Sequence, residues 1–190
     1  MKQSKKKIVK FILKFAKNYL PTKIYSLLLF VRSFKKFKRY LNNSKTNIKF
    51  SKNLDKINQF EYKLTSQNNE DGIIDYIFKR IPNKKYFVEI GFDFYEFNTL
   101  NLIKNGWGGK LIEANRDESL ALKKLLRYFF PKSKINVINK KIDRENINDI
   151  ILSNLNGKMI DFFSIDTDGN DYWLLKNLNL EKINVICCEY

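Results

Sequence analysis

Histidine is missing from the 190 residues altogether, and cysteine occurs only twice. Without histidine there is no Ser-His-Asp or Cys-His catalytic centre and no imidazole-ligated metal site. The two cysteines, Cys187 and Cys188, are neighbours. Adjacent residues of a strand face opposite ways, so the pair suits neither a zinc site nor a disulfide. They read as small apolar residues of a buried strand, at home in a reducing compartment. Acids are missing from residues 1–54, which carry sixteen Lys or Arg, whereas 55–190 hold twenty charges of each sign. The net charge of +16 therefore sits entirely in the first part of the chain, which marks two regions with different partners. Long hydrophobic runs are lacking too. The most apolar stretch near the start, Ile24–Val31, has eight residues, against about 20 for a membrane-spanning helix. Lysines interrupt the apolar residues ahead of it and no small-residue cleavage site follows, so the start makes a poor secretory signal.

What is present falls into three parts: a basic amphipathic extension at 1–41, an Asn/Lys-rich polar linker at 42–61, and a domain from 62 to 190. In the extension, Lys10, Lys14 and Lys17 form one helical stripe opposite Ile8, Phe11, Ile12, Phe15 and Tyr19. Pro21 breaks that pattern. A second helical run follows to about Leu41, with Ile24, Leu27, Leu28, Val31 and Phe34 on one face. An interfacial helix pair on an anionic membrane surface and an extension packed on the domain fit this pattern equally well. A nucleic-acid arm fits the charge but not the many large aliphatics. An Asn/Asp-Pro-Pro-Tyr motif for flipped bases is also absent, so nucleic acid is not an expected partner.

From residue 71 onward, helical and strand patterns alternate. Strands are predicted at 86–90, 110–113, 135–139, 159–165 and 184–189, with helices at 71–80, 98–105, 119–129, 146–152 and 172–178. This is the pattern of βαβ units in an α/β fold, a mostly parallel, doubly wound sheet with helices on both faces. Ligands of such sheets bind outside the carboxyl ends of the strands. Acids gather there: Glu89 before Gly91, then Glu113, Asp143, the run Asp166-Thr-Asp168-Gly-Asn-Asp171, and Glu189. Glu113 lies 22 residues beyond Gly91, about where an acid holds a ribose diol. The turn at Gly91 has one glycine, not the three that let backbone approach a pyrophosphate, which argues against NAD and FAD. S-adenosylmethionine carries no phosphate and is compatible with a single glycine. The acidic run is no EF-hand, because Gly169 stands fourth instead of sixth and a strand precedes it. Asn170 or Asp171 is expected to cap the next helix. Asp166 and Asp168 remain for a substrate-facing acid or base, or for a divalent cation such as Mg2+ shared with Glu189.

Taken together, S-Q-N-N-E-D-G-I-I (66–74), F-V-E-I-G (87–91), N-T-L-N-L (98–102), G-W-x-G-x-L-I-E (106–113), E-N-I-N-D (145–149), S-I-D-T-D-G-N-D-Y-W (164–173) and E-Y (189–190) resemble the FkbM-like group of S-adenosylmethionine-dependent methyltransferases. The resemblance spans about 62–190. It implies a Rossmann-like class I methyltransferase fold and O-methylation of a sugar or other small hydroxyl-bearing acceptor, in surface polysaccharide or secondary metabolite synthesis. It puts Glu89 and Gly91 at the methionine end of the cofactor, Glu113 at its ribose, Asp143 near its adenine, and Asp166 near the transferred methyl. Asp166 is then the candidate general base, with Asp168 and Glu189 orienting it or sharing a metal. The expected location is cytoplasmic, peripheral on the inner face of the membrane. Two departures qualify the likeness. Phe92, Phe94 and Tyr95 follow Gly91 where small residues are usual, which is expected to crowd the cofactor pocket. The chain also stops at Tyr190, just after the fifth strand, as in a C-terminally truncated copy. The competing expectation is a non-catalytic, membrane-associated or partner-binding domain that has kept the fold.

Overall fold

The computed structural model describes residues 16, 19–42, 57–92, 97–167 and 169–188. Five strands form one all-parallel sheet: β1 (Tyr86–Ile90), β2 (Gly108–Glu113), β3 (Ile135–Asn139), β4 (Ile160–Ile165) and β5 (Ile183–Cys188), in spatial order β3-β2-β1-β4-β5. This order is consistent with a Rossmann-like arrangement, in which the chain starts in the middle, winds outward through β3, and returns to wind the other way. The central strands are mostly apolar because both faces are covered. Phe87, Leu111 and Phe162 point into one core. Val88, Ile90, Ile112, Phe163 and Ile165 point into the other.

The first face is covered by α1 (Thr22–Asn42), α3 (Leu100–Lys104) and α4 (Arg116–Phe129), with Ile74 from α2 (Glu70–Phe78). The second is covered by α5 (Ile147–Leu152) and α6 (Asp171–Asn177). Cys187 packs towards the first core and Cys188 towards the second, as alternation along a strand requires. Pro21 stands just ahead of α1, where a missing N–H costs nothing. Asn115 starts α4 by accepting from the N–H groups of Asp117 and Glu118. At the other end of its element, α5 leaves carbonyls without helical partners. Lys110 reaches them from β2, its ammonium donating to the Ile150, Ile151 and Ser153 carbonyls. At the root of β4 the buried Asp161 accepts from the N–H groups of Lys84 and Tyr86 at 3.0 Å each. Its other oxygen accepts from Asn184. One carboxylate thus ties the starts of three neighbouring strands.

Three sequence expectations shift. The second strand begins at Gly108 rather than Lys110, since the glycine pair serves close strand contact and not a turn. A Cβ on Gly109 would stand 2.2 Å from the Phe87 carbonyl oxygen. The helix expected at 98–105 shortens to α3, because Asn98 and Thr99 are taken up by Glu89. Within the stretch read as linker, Asn58–Phe60 form a single 3-10 turn whose Phe60 stacks on Tyr76 of α2. The helix expected over 8–20 lies outside the described residues, apart from Ala16, Tyr19 and Leu20. Among the described residues no helix is long and apolar enough to cross a membrane.

The helix α1 packs on α4 through Tyr25, Leu29, Ser33 and Phe37, all buried at four-residue spacing. Phe34 and Phe37 meet Phe129, with ring centroids 5.0 and 5.8 Å apart. Lys124 donates to the Ser26 hydroxyl. The packed face is therefore not the one singled out by Ile24, Leu27, Leu28 and Val31, which are exposed. Of that set, Phe34 alone turns partly inward.

Candidate functional site

A cavity of about 600 Å³ opens at the carboxyl ends of β1, β4 and β5, roofed by the segment 58–70. Among the described residues its charged lining residues are Glu61, Glu70, Glu89 and Asp166, with no lysine or arginine. In a domain whose acids and bases balance over 55–190, this is a local excess of negative charge. A cationic ligand is attracted to such a wall and a phosphate is repelled.

Glu89, the last residue but one of β1, has its side chain wholly inside. It accepts from the N–H groups of Asn98 and Thr99 and from the Thr99 hydroxyl. The sequence N-T therefore closes the turn after β1 onto the strand's own acid. Asn98 in turn donates to the Ser164 hydroxyl at 3.0 Å, which links the turn to β4. Burial pushes the Glu89 carboxyl up to about 7, against the opposing hydrogen bonds and with help from Asp166. An acid raised in the folded state binds its proton there more tightly than in the unfolded chain. Stability should therefore be highest below its ordinary value of 4.5 and fall as pH rises towards 7. The expected loss is about 3 kcal/mol between pH 4.5 and 7. Urea unfolding of wild type and Glu89→Gln at pH 5 and 8 measures it. The wild type should lose stability relative to the variant, and identical pH dependences would assign the titration to another group.

Gly91 has a φ of 69°, the left-handed region, and a Cβ there would fall 1.8 Å from the Asp166 carbonyl oxygen. The close approach that needs this glycine is thus made by β4's exit. Asp166 N–H donates to the Ile90 carbonyl, the last rung of that pairing. Together these contacts carry Asp166 to the cavity wall beside Glu89. The next loop is held by Asp171, which accepts from Thr167 N–H and hydroxyl and from Gly169 N–H. Asp171, not Asn170, is therefore the residue that ties this loop to α6. Asp168 and Glu189 lie outside the described residues. Among the described residues no three metal-capable side chains come together.

Glu113 and Asp143 do not line this cavity. Glu113 stands at the end of β2, next to β1, and one of its oxygens accepts from Asn115 N–H at 2.6 Å. Asp143 is exposed and accepts from the N–H groups of Glu145 and Asn146 ahead of α5. Phe92 is a cavity wall and a core residue at once, packed on Phe97 at 5.7 Å. Phe94 and Tyr95 are outside the described residues. Cys187 also lines the cavity. Burial, with Glu70 and Glu89 nearby, pushes its thiol up to about 12, so it is a neutral wall and not a nucleophile.

The roof was missed by sequence reasoning. Asp71, buried at the start of α2, accepts from the N–H groups of Leu64, Thr65 and Ser66 and from the hydroxyls of Thr65 and Ser66. Ser66 returns the favour by accepting from Asp71 N–H. This knot folds 64–70 back so that Gln67, Asn68 and Glu70 face the cavity. The signal was present in S-Q-N-N-E-D: an acid five residues after a serine, able to fold the intervening turn onto itself. At the opposite, amino edge of the sheet lies a second cavity of about 710 Å³, whose described lining includes Lys84, Lys85, Lys104, Lys132, Lys134 and Lys158 and no acid.

Fold and site together define an α/β protein with a parallel sheet, and with an acid-walled cavity where such sheets take their ligands. Compared with family models and with curated proteins, the chain matches none.

Proposed function

We propose that the chain is an S-adenosylmethionine-dependent methyltransferase domain that acts on a hydroxyl-bearing small molecule or glycan. The observation that carries the reading is the acidic wall of the carboxyl-edge cavity, whose described lining residues include four acids and no base, in a domain that is otherwise charge-balanced. Dinucleotides bring phosphates, which that wall opposes. S-adenosylmethionine brings an ammonium and a sulfonium, which it favours. The cavity's size also falls within the range of about 300–1,000 Å³ usual for small-molecule sites. When bound, the cofactor supplies a methyl group made electrophilic by the sulfonium.

In this reading Glu89 shapes the turn that holds the methionine end in the cavity, and Gly91 keeps that turn against Asp166. The cofactor then extends out of the cavity past the end of β2, where Glu113 accepts from the ribose hydroxyls, and on towards Asp143 on the adenine side. Asp166 takes the proton from the acceptor hydroxyl, while the walls of the site align the acceptor oxygen with the methyl group. Asp166 is the one described member of the expected Mg2+ ligand set, since Asp168 and Glu189 lie outside the described residues.

Calorimetry tests the reading. S-adenosylmethionine should bind the full chain and NAD should not. Glu113→Ala should weaken binding by about 1.5–3 kcal/mol, the range for a hydrogen bond to a charged group. No heat with either ligand would favour a domain that keeps the fold without the reaction.

A further inference from the structure

We infer that the outward face of α1 is a docking surface for an anionic lipid bilayer. This stands apart from the methyl-transfer reading and does not need it. Ile24, Leu27, Leu28 and Val31 recur at i, i+3, i+4 and i+7 and are between 43% and 60% exposed. The other side of the same turns is already buried on α4, so the stripe is left over after the domain has packed. Exposed aliphatic residues scattered singly are ordinary. Four adjacent ones on two turns are not, since a solvated helix face is polar.

The continuation of that face narrows the occupant. Arg32, Lys35, Lys38 and Arg39 follow on the same side and are exposed, and no acid occurs anywhere in 1–54. The surface is therefore apolar in its first half and cationic in its second. A second copy of the chain would bring like charges together along the same stripe. A nucleic acid would match the charges but leave the aliphatics in water. An anionic membrane surface supplies both partners, acyl chains at the headgroup boundary for the leucines and phosphates for the lysines and arginines. The helix lies in the plane of the interface, because it is not apolar enough to cross.

The test is flotation of the full chain with vesicles of phosphatidylglycerol mixed into phosphatidylcholine, compared with phosphatidylcholine alone, at low salt. The wild type should float with the anionic vesicles only, and the bound fraction should fall steeply as salt rises. Leu27→Ser/Leu28→Ser/Val31→Ser and Arg32→Gln/Lys35→Gln/Lys38→Gln/Arg39→Gln should each weaken binding by about tenfold or more. Both should melt near the wild-type temperature, since none of the seven side chains is buried. A wild type that ignores anionic vesicles overturns the proposal. So does a serine variant that binds as the wild type does, because charge outside the stripe would then suffice. Self-association in sedimentation velocity that the serine variant abolishes also overturns it, by giving the face to a second copy.

Discussion

Asp71→Ala is expected to melt about 10 °C or more below the wild type, a loss of about 3–5 kcal/mol. The carboxylate is 1% exposed and takes five donors, three of them consecutive backbone N–H groups. Each donor left buried without an acceptor costs about 1–3 kcal/mol, and the segment can recover part of that only by opening to water. Asp71→Asn should lose less, because its carbonyl oxygen can keep the position that takes four of the donors while its amide donates to the Thr65 hydroxyl. Thermal melting reads the loss. Limited proteolysis should show new cleavage between 61 and 70, since the same contacts hold the cavity's roof. A variant that melts within a degree or two of wild type would mean that these bonds are replaced by water at no cost.

On the methyl-transfer reading proposed above, Asp166→Asn should leave S-adenosylmethionine affinity nearly unchanged and reduce methyl transfer by about 10²–10⁴-fold, the usual contribution of a general base. The separation of effects follows from geometry. The backbone of Asp166 is fixed by Ile90 and Gly91, so exchanging one side-chain oxygen for nitrogen should not move the loop. What changes is the ability to hold the acceptor's proton. Single-turnover rates on an established acceptor, together with calorimetric affinity, separate the two quantities. Full turnover would reduce Asp166 to a wall residue and shift attention to Asp168, two positions along.

The sheet was readable because its central strands are buried on both sides and leave short, mostly apolar runs between helical patterns. Two strands, Tyr86–Ile90 and Ile135–Asn139, have the limits their sequence predicts. Ends drifted where the deciding contact was tertiary, as at Gly109 against Phe87 or Asn98 on Glu89. The site divides in the same way. Glu89, Gly91 and Asp166 were legible because residues that follow parallel strands share one edge. The roof was not, since a carboxylate gathering backbone donors has no period in sequence. For α1, two serines hid the inner face. Ser26 and Ser33 are buried, yet hydropathy marks the opposite stripe as the one to bury.

Asp161 sets a timetable as well as a geometry. Its bonds to Lys84 and Tyr86 close separations of 77 and 75 residues, whereas the Asp71 knot closes separations of five to seven. Loop-closure entropy must be met before non-local contacts can reward it. The roof of the cavity can therefore assemble early and locally, while its floor, where β1 joins β4, waits for the whole intervening chain to condense. Until it does, the inner edges of both strands stay open to pairing with other chains, and folding of this protein becomes a race between Asp161 and its neighbours in solution.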